Sequence, residues 1–92
     1  MSDNSTIAAR RDLLCCDLPD GAVILDLKSG VYYGLDAVGA FIWALIQEPK
    51  VLRDIAAAVL EEYAVEPARC AEDLRNLFAE MSERNLIEVK NA

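Results

Sequence analysis

The sequence contains no histidine. That removes the side chain most often used as a general base, as the activator of a Ser or Cys nucleophile, and as a metal ligand. A Gly-rich phosphate loop and a GxSxG elbow are also missing. Acidic pairs exist, but Glu61 and Glu62 are neighbours on a predicted helix, diverge by roughly 100°, and read as a solvated face. A chain of 92 residues also lacks the wall area for a deep substrate pocket. The chain is therefore not expected to be an enzyme, and neither a cofactor nor a metal site is expected.

Positive charge is scarce. Nine Lys and Arg stand against 16 Asp and Glu, for a net charge of −7. The basic residues are scattered, and the one adjacent pair, Arg10-Arg11, lies near the N-terminus. Nucleic-acid binding needs clustered cations to displace counterions, and an acidic membrane surface needs the same. Neither partner is expected.

Long apolar runs are absent too. The longest, residues 37–46, is about half the length that spans a bilayer. Residues 1–9 (MSDNSTIAA) have no apolar segment of signal-peptide type, so the chain reads as soluble and cytoplasmic. Cysteine is limited to Cys15, Cys16 and Cys70. An odd count argues against a disulfide framework. The adjacent pair fits no CxxC or zinc spacing, so all three read as small buried hydrophobes, with a redox pair as the alternative.

What is present is apolar: 54% of residues are hydrophobic, enough for one modest core. Residues 1–11 read as a flexible tail and 12–90 as one domain. The segment LLCCDL-PDG-AVILDL-KSG-VYYGL holds three short apolar runs divided by two turn signals. It predicts an antiparallel meander at 12–17, 22–27 and 31–35. Gly21 and Gly30 sit where a turn can require positive φ.

Three helices follow. Asp36 is a good N-cap for the first, which runs to Gln47. The second spans residues 51–63, with Leu52, Ile55, Ala56, Val59 and Leu60 at helical spacing. The third opens at Glu66-Pro67 and carries the stripe Cys70, Leu74, Leu77, Phe78 and Met81. Asn85 can close it in the left-handed conformation, with Leu86-Ile87 packing back. The order is βββααα, an α+β, winged helix-turn-helix-like architecture.

That shape admits two binding readings. A DNA reader needs a basic recognition helix, yet the exposed positions of the second and third helices are acidic on balance. The other reading is strand capture. With 22–27 central, Val31, Tyr32, Tyr33 and Gly34 form a sheet edge to which a peptide can add as a strand. Tyrosine, with a broad apolar ring and a polar tip, suits such a site.

The runs GAVILDLKSGVYYGLDAVGAFIWALI, VLRDIAAAVLEEYAVEP and DLRNLFAEMSERNLIEV resemble the PqqD family, small proteins also called RiPP recognition elements. The likeness covers about residues 20–89. It is greatest to the discrete B1 proteins of lasso-peptide biosynthesis, through Gly30, Tyr32, Leu35-Asp36 and Ile42-Trp43. The family often has Asn at the position of Asp36 and Gly at that of Asn85, and both changes keep a residue competent to cap.

The resemblance implies a winged-helix-like protein that binds no DNA. It implies that the leader of a ribosomally made precursor peptide adds beside the third strand, in the groove against the third helix. The protein then presents the precursor to a processing enzyme. In lasso systems that enzyme is a leader peptidase with a Cys-His-Asp triad; in the pyrroloquinoline quinone branch it is a radical SAM enzyme. By position, residues 31–34 supply backbone bonds. Leu74, Leu77, Phe78 and Met81 line the groove, and Asp73 and Arg84 flank its rim. A core role competes for Leu74, Phe78 and Cys70, since only the stripe's edge can touch a ligand. Trp43 reads as packing. Outside this class, the alternative is an acidic winged-helix interaction module in transcription.

Overall fold

The computed structural model describes residues 1–91. In chain order the elements are β1 (Thr6–Ala9), β2 (Leu14–Leu18), β3 (Gly21–Asp26), β4 (Val31–Asp36), α1 (Ala37–Leu45), β5 (Lys50–Val51), α2 (Leu52–Glu62), α3 (Pro67–Glu83) and β6 (Ile87–Lys90). They form two antiparallel sheets, β2-β3-β4 and β5-β1-β6. The meander has β3 at its centre, as the sequence pattern suggests.

Local chemistry explains most boundaries. The Asp36 carboxylate accepts a 2.8 Å bond from the Gly39 N–H and caps α1. Pro67 sits in the first turn of α3. Asn85, at φ 62°, ends α3, and the Leu86 N–H returns to the Met81 carbonyl at 2.9 Å. Gly30, at φ +73°, closes the β3–β4 turn. Gly21 is needed for a different reason than positive φ. It lies in β3, and a Cβ there would sit 1.9 Å from the Leu35 carbonyl oxygen of β4, so a side chain would push the strands apart.

The N-terminal segment corrects the sequence reading of residues 1–11 as a flexible tail. β1 is the middle strand of the second sheet, and Ile7 is fully buried. Backbone bonds fix its flanks. The first N–H groups of α2, on Leu52 and Arg53, donate to the carbonyls of Ser5 (2.8 Å) and Asp3 (3.0 Å). These bonds stand in for a side-chain cap, which Val51 cannot supply. The buried Ser5 hydroxyl donates to Asn91 Oδ1 at 2.8 Å and accepts from the Ser2 N–H at 2.8 Å, tying the two ends of the chain together. Four residues with only Ile7 and Ala9 turned inward give too short an alternation to read as a strand.

One core joins both sheets and all three helices: Ile7, Ile24, Ile42, Trp43, Ile46, Ile55, Val59, Leu74, Phe78 and Met81 among others. Cys70 is buried, but Cys15 and Cys16 are exposed. The reading of that pair as buried hydrophobes fails because β2 is an edge strand with no helix laid over it, and all five of its residues are exposed.

Candidate functional site

β4 is a free edge of its sheet, and its backbone groups can be assigned from the register. Leu18 and Gly21 pair across the two-residue loop Pro19-Asp20. Such a pair must exchange its own N–H···O=C bonds, since the other antiparallel pattern would need bonds between the two loop residues. Alternation fixes the rest. Gly21, Val23 and Leu25 bond to β2, whereas Ala22, Ile24 and Asp26 bond to β4, where their partners are Leu35, Tyr33 and Val31. Tyr33 therefore spends its backbone groups inside the sheet, and the Val31 N–H donates to the Ser29 hydroxyl of the turn at 3.3 Å. Tyr32 and Gly34 aim theirs outward. Of residues 31–34, expected together to supply backbone bonds, only these two have groups to offer.

Side chains alternate with the same period. Leu35 is buried, and Tyr33 is half-buried on the core side. Tyr32 is 70% exposed on the opposite face. A Cβ on Gly34 would meet nothing within 4 Å, so the approach to the edge is open at that residue.

Beside this edge runs a groove of about 420 Å³. β4 gives one wall with Tyr33, Gly34 and Leu35, and α3 gives the other with Cys70, Asp73, Leu74 and Leu77. Val38 and Ile42 of α1, Val59 of α2 and the exposed Val65 complete an apolar lining. The groove opens there because α1 starts directly at the end of β4. Gly39 lets its first turn pack close: a Cβ would lie 3.1 Å from Leu35 Cδ2. Burial raises the Cys70 thiol pKa, and the Asp73 carboxylate raises it further, so the floor stays uncharged.

The two ends differ electrostatically. Near one end stand Asp36, engaged as the α1 cap, and Asp73, exposed and only 3.8 Å from Arg69 Nε. Toward the hairpin end the Arg84 guanidinium lies 5.3 Å from the centre of the Tyr33 ring, a cation–π distance. Arg84 Nε is also 3.6 Å from Glu80 Oε1. Burial raises the Tyr33 phenol pKa, helped by Glu80 and opposed by Arg84. Tyr33 thus ties β4 to the last turns of α3.

Of the expected site residues, the structure gathers Tyr33, Gly34, Asp73, Leu74 and Leu77 around one groove. Val31 and Tyr32 lie on the same strand and are exposed, and Arg84 stands over Tyr33. Phe78 and Met81 are corrected: both are 0% exposed and belong to the core. The stripe they share with Leu74 is wider than the groove, and its middle faces α2 and the sheets. The contributions of Val38, Ile42 and Val59 went unread, although Val38 and Ile42 carry the signal, being one turn apart on a helix that begins at the edge strand.

Among the described residues no group of three or more His, Cys, Asp or Glu could hold a metal ion, and no helix is long and apolar enough to cross a membrane.

Comparison with solved structures gives two relatives with this fold. A structure described as TbiB1 in complex with the TbiA(beta) leader peptide is 33% identical, with a TM-score of 0.80, covering 88% of this chain and 94% of that one. A structure described as lasso peptide synthetase B1 complexed with the leader peptide is 24% identical, with a TM-score of 0.77, covering 89% and 96%; at that identity it shows the fold alone. No curated protein sequence matches. The profile of the family described as coenzyme PQQ synthesis protein D matches residues 21–87, which include the hairpin edge, the groove and all of α3. The chain belongs to the PqqD family, and it is a PqqD-like RiPP recognition element.

Proposed function

We propose that this protein binds the leader of a ribosomally made precursor peptide by strand addition to β4 and presents it to a separate processing enzyme. The observation that carries this is the juxtaposition at β4. The outward N–H and C=O groups of Tyr32 and Gly34 lie at the mouth of an apolar groove of about 420 Å³. Main-chain bonds give a bound strand its affinity, and alternate side chains dropping into the groove give it specificity. Asp73 reads a basic leader residue at one end; Arg84 reads a polar or acidic one at the other. The leader peptide in the structure of the 33% identical relative supports the reading.

The partner is a cysteine leader peptidase of the lasso type, the enzyme implied by the sequence resemblance carried by Gly30, Tyr32, Leu35-Asp36 and Ile42-Trp43. The second reading is an adaptor for a radical SAM modifying enzyme, favoured by the family profile itself. In either case the bond-making groups come from the partner, consistent with a chain that has no histidine and no candidate metal cluster among its described residues.

The test is a ¹⁵N NMR titration with the leader of the short precursor encoded nearest this gene. Shifts concentrated at Tyr32, Gly34 and Asp36 and along residues 70–77 are expected. Shifts confined to the opposite edge, β2, would sink the proposal. Co-purification with each neighbouring enzyme then separates the two partner readings.

A further inference from the structure

A strand added to β4 has two faces, and the groove receives only one of them. Residues level with each other across a ladder turn their side chains to the same face, whichever way the added strand runs. Leader residues level with Tyr33 and Leu35 therefore turn toward the groove. The residue between them, level with Gly34, turns to the outer face of the sheet.

That face is apolar. Its rows, read across β2, β3 and β4 from the register, are Leu14-Leu25-Tyr32, Cys16-Val23-Gly34 and Leu18-Gly21-Asp36. In a chain with 27% charged residues, Asp36 is the one charged side chain among these positions, and its carboxylate is engaged at the α1 cap. The solvated face of an antiparallel sheet ordinarily carries polar residues. Gly34 cuts a gap in this surface at the edge. Tyr32 stands beside the gap, 70% exposed. A Cβ placed on Gly34 would meet nothing within 4 Å. Behind the gap, in β3, lies Val23, only partly buried.

We infer that the leader residue level with Gly34 carries a large apolar side chain that lies across Gly34 onto Val23, beside the Tyr32 ring. The inference rests on strand addition to β4 and gives that site a second subsite on the opposite face from the groove. The occupant follows from the ladder: a strand paired with β4 has to set one side chain at this gap. Its chemistry follows from the neighbours. A glycine near a sheet edge leaves the next strand uncovered, and an aromatic cross-strand neighbour covers it. Aromatic–aromatic and aromatic–β-branched pairs are favourable cross-strand combinations, and Tyr32 and Val23 offer one of each. Three consecutive leader residues are then read, the outer two by the groove and the middle one by the outer face. The recognised segment is a short continuous apolar run, the pattern of a strand covered on both faces, where a groove alone would select alternation.

The first arm of the test is isotope-filtered NOE spectroscopy. The full chain, labelled with ¹³C and ¹⁵N, is bound to the unlabelled synthetic leader of the short precursor encoded nearest this gene. The Val23 methyls should show NOEs to an aromatic or long aliphatic side chain at one leader position. The Ile42 and Leu77 methyls should show NOEs to the residues on either side of it. In Gly34→Leu the chain's own side chain covers Val23, so the NOEs to Val23 should vanish while the shift of the Tyr32 amide persists. The second arm is fluorescence anisotropy with alanine at that leader position. The substitution should weaken binding to wild type by about threefold or more. It should weaken binding to Val23→Thr by less, since that variant keeps a β-branched side chain, lies off the edge strand and offers a poorer apolar contact. NOEs at Ile42 and Leu77 with none at Val23, NOEs to Val23 that survive in Gly34→Leu, or equal losses in wild type and Val23→Thr would each overturn the inference and leave strand addition standing. A leader that shifts neither the Tyr32 nor the Gly34 amide would overturn both.

Discussion

Proline placed at successive positions of β4 discriminates between the outward and inward backbone groups. Gly34→Pro deletes an N–H that, by the register, points away from β3. Proline is tolerated on an edge strand when its nitrogen faces outward. The residue before it must be extended, and Tyr33 already is. A Cβ at residue 34 meets nothing within 4 Å, so no internal clash opposes the change. The sheet should stay folded. Binding of an added strand should not. The lost bond is worth about 0.5–1.5 kcal/mol net, and the peptide carbonyl left facing a carbon adds about 1–3 kcal/mol. Together these are about 1.5–4.5 kcal/mol, or roughly tenfold to two-thousandfold in Kd.

The matched control is Tyr33→Pro. Its N–H serves the β3–β4 ladder, so proline there attacks the sheet itself and should lower thermal stability. Fluorescence anisotropy of a labelled leader gives the affinity, and circular dichroism gives the folded fraction. The expected pattern is a folded Gly34→Pro that binds poorly and a destabilised Tyr33→Pro. A folded Gly34→Pro binding within twofold of wild type would refute strand addition at this edge. The reverse pattern, with Tyr33→Pro folded and Gly34→Pro unfolded, would refute the register assignment.

Three further outcomes test the remaining assignments. Leu77→Asp should cut leader affinity at least tenfold and, because Leu77 is only partly buried against the core, destabilise the fold less than Phe78→Ala. Phe78→Ala, with no exposed surface to lose, should instead cost about 3–5 kcal/mol of stability in denaturant titration. Deleting residues 1–9 should abolish the cooperative unfolding transition seen by calorimetry, because β1 fills the middle of a sheet and its flank caps α2; a dispensable tail would leave the transition intact. Arg10 donates two hydrogen bonds to Asp12, at 3.1 and 2.6 Å, and these hold the Asp12 carboxyl below its usual range. That contribution is present above the unfolded carboxyl pKa of about 4 and is lost as pH falls through the lower folded value. The stability gap between wild type and Asp12→Asn should therefore be constant near neutrality and close in acid.

What could be read from the sequence was whatever depends on local chemistry. Asp36 announces a cap, Pro67 a first turn and Asn85 a left-handed stop, and each acts within four residues of itself. The meander was legible because its turns are short and its runs dense in Val, Ile and Leu. What stayed hidden depends on residues far apart in sequence. β1 pairs with β5 more than forty positions away and with β6 about eighty positions away, and nothing in TIAA foretells either partner. The same limit blurred the site. Leu77 and Phe78 are adjacent on one stripe, and only the packing of α2, α3 and the sheets decides that the first lines a groove and the second fills the core.

The arrangement also explains how so small a chain can offer a specific site. A domain of this size must commit nearly all its large apolar side chains to its one core, and Phe78, Met81, Trp43 and Ile55 are spent there. Little remains for a pocket made of side chains alone. The groove instead borrows the backbone: the free edge of β4 supplies directional donors and acceptors without consuming a core residue. The side chains beside it, Val38, Ile42, Leu74 and Leu77, serve the core from beneath and the groove from above. Such double use has a predictable consequence. Shortening Ile42 to Val should weaken leader binding and lower stability together, whereas Asp73→Asn, exposed at the rim, should change affinity for a basic leader alone. If Ile42→Val altered stability but left affinity untouched, the groove floor would not be in contact with the peptide, and recognition would rest on the β4 backbone and the rim charges.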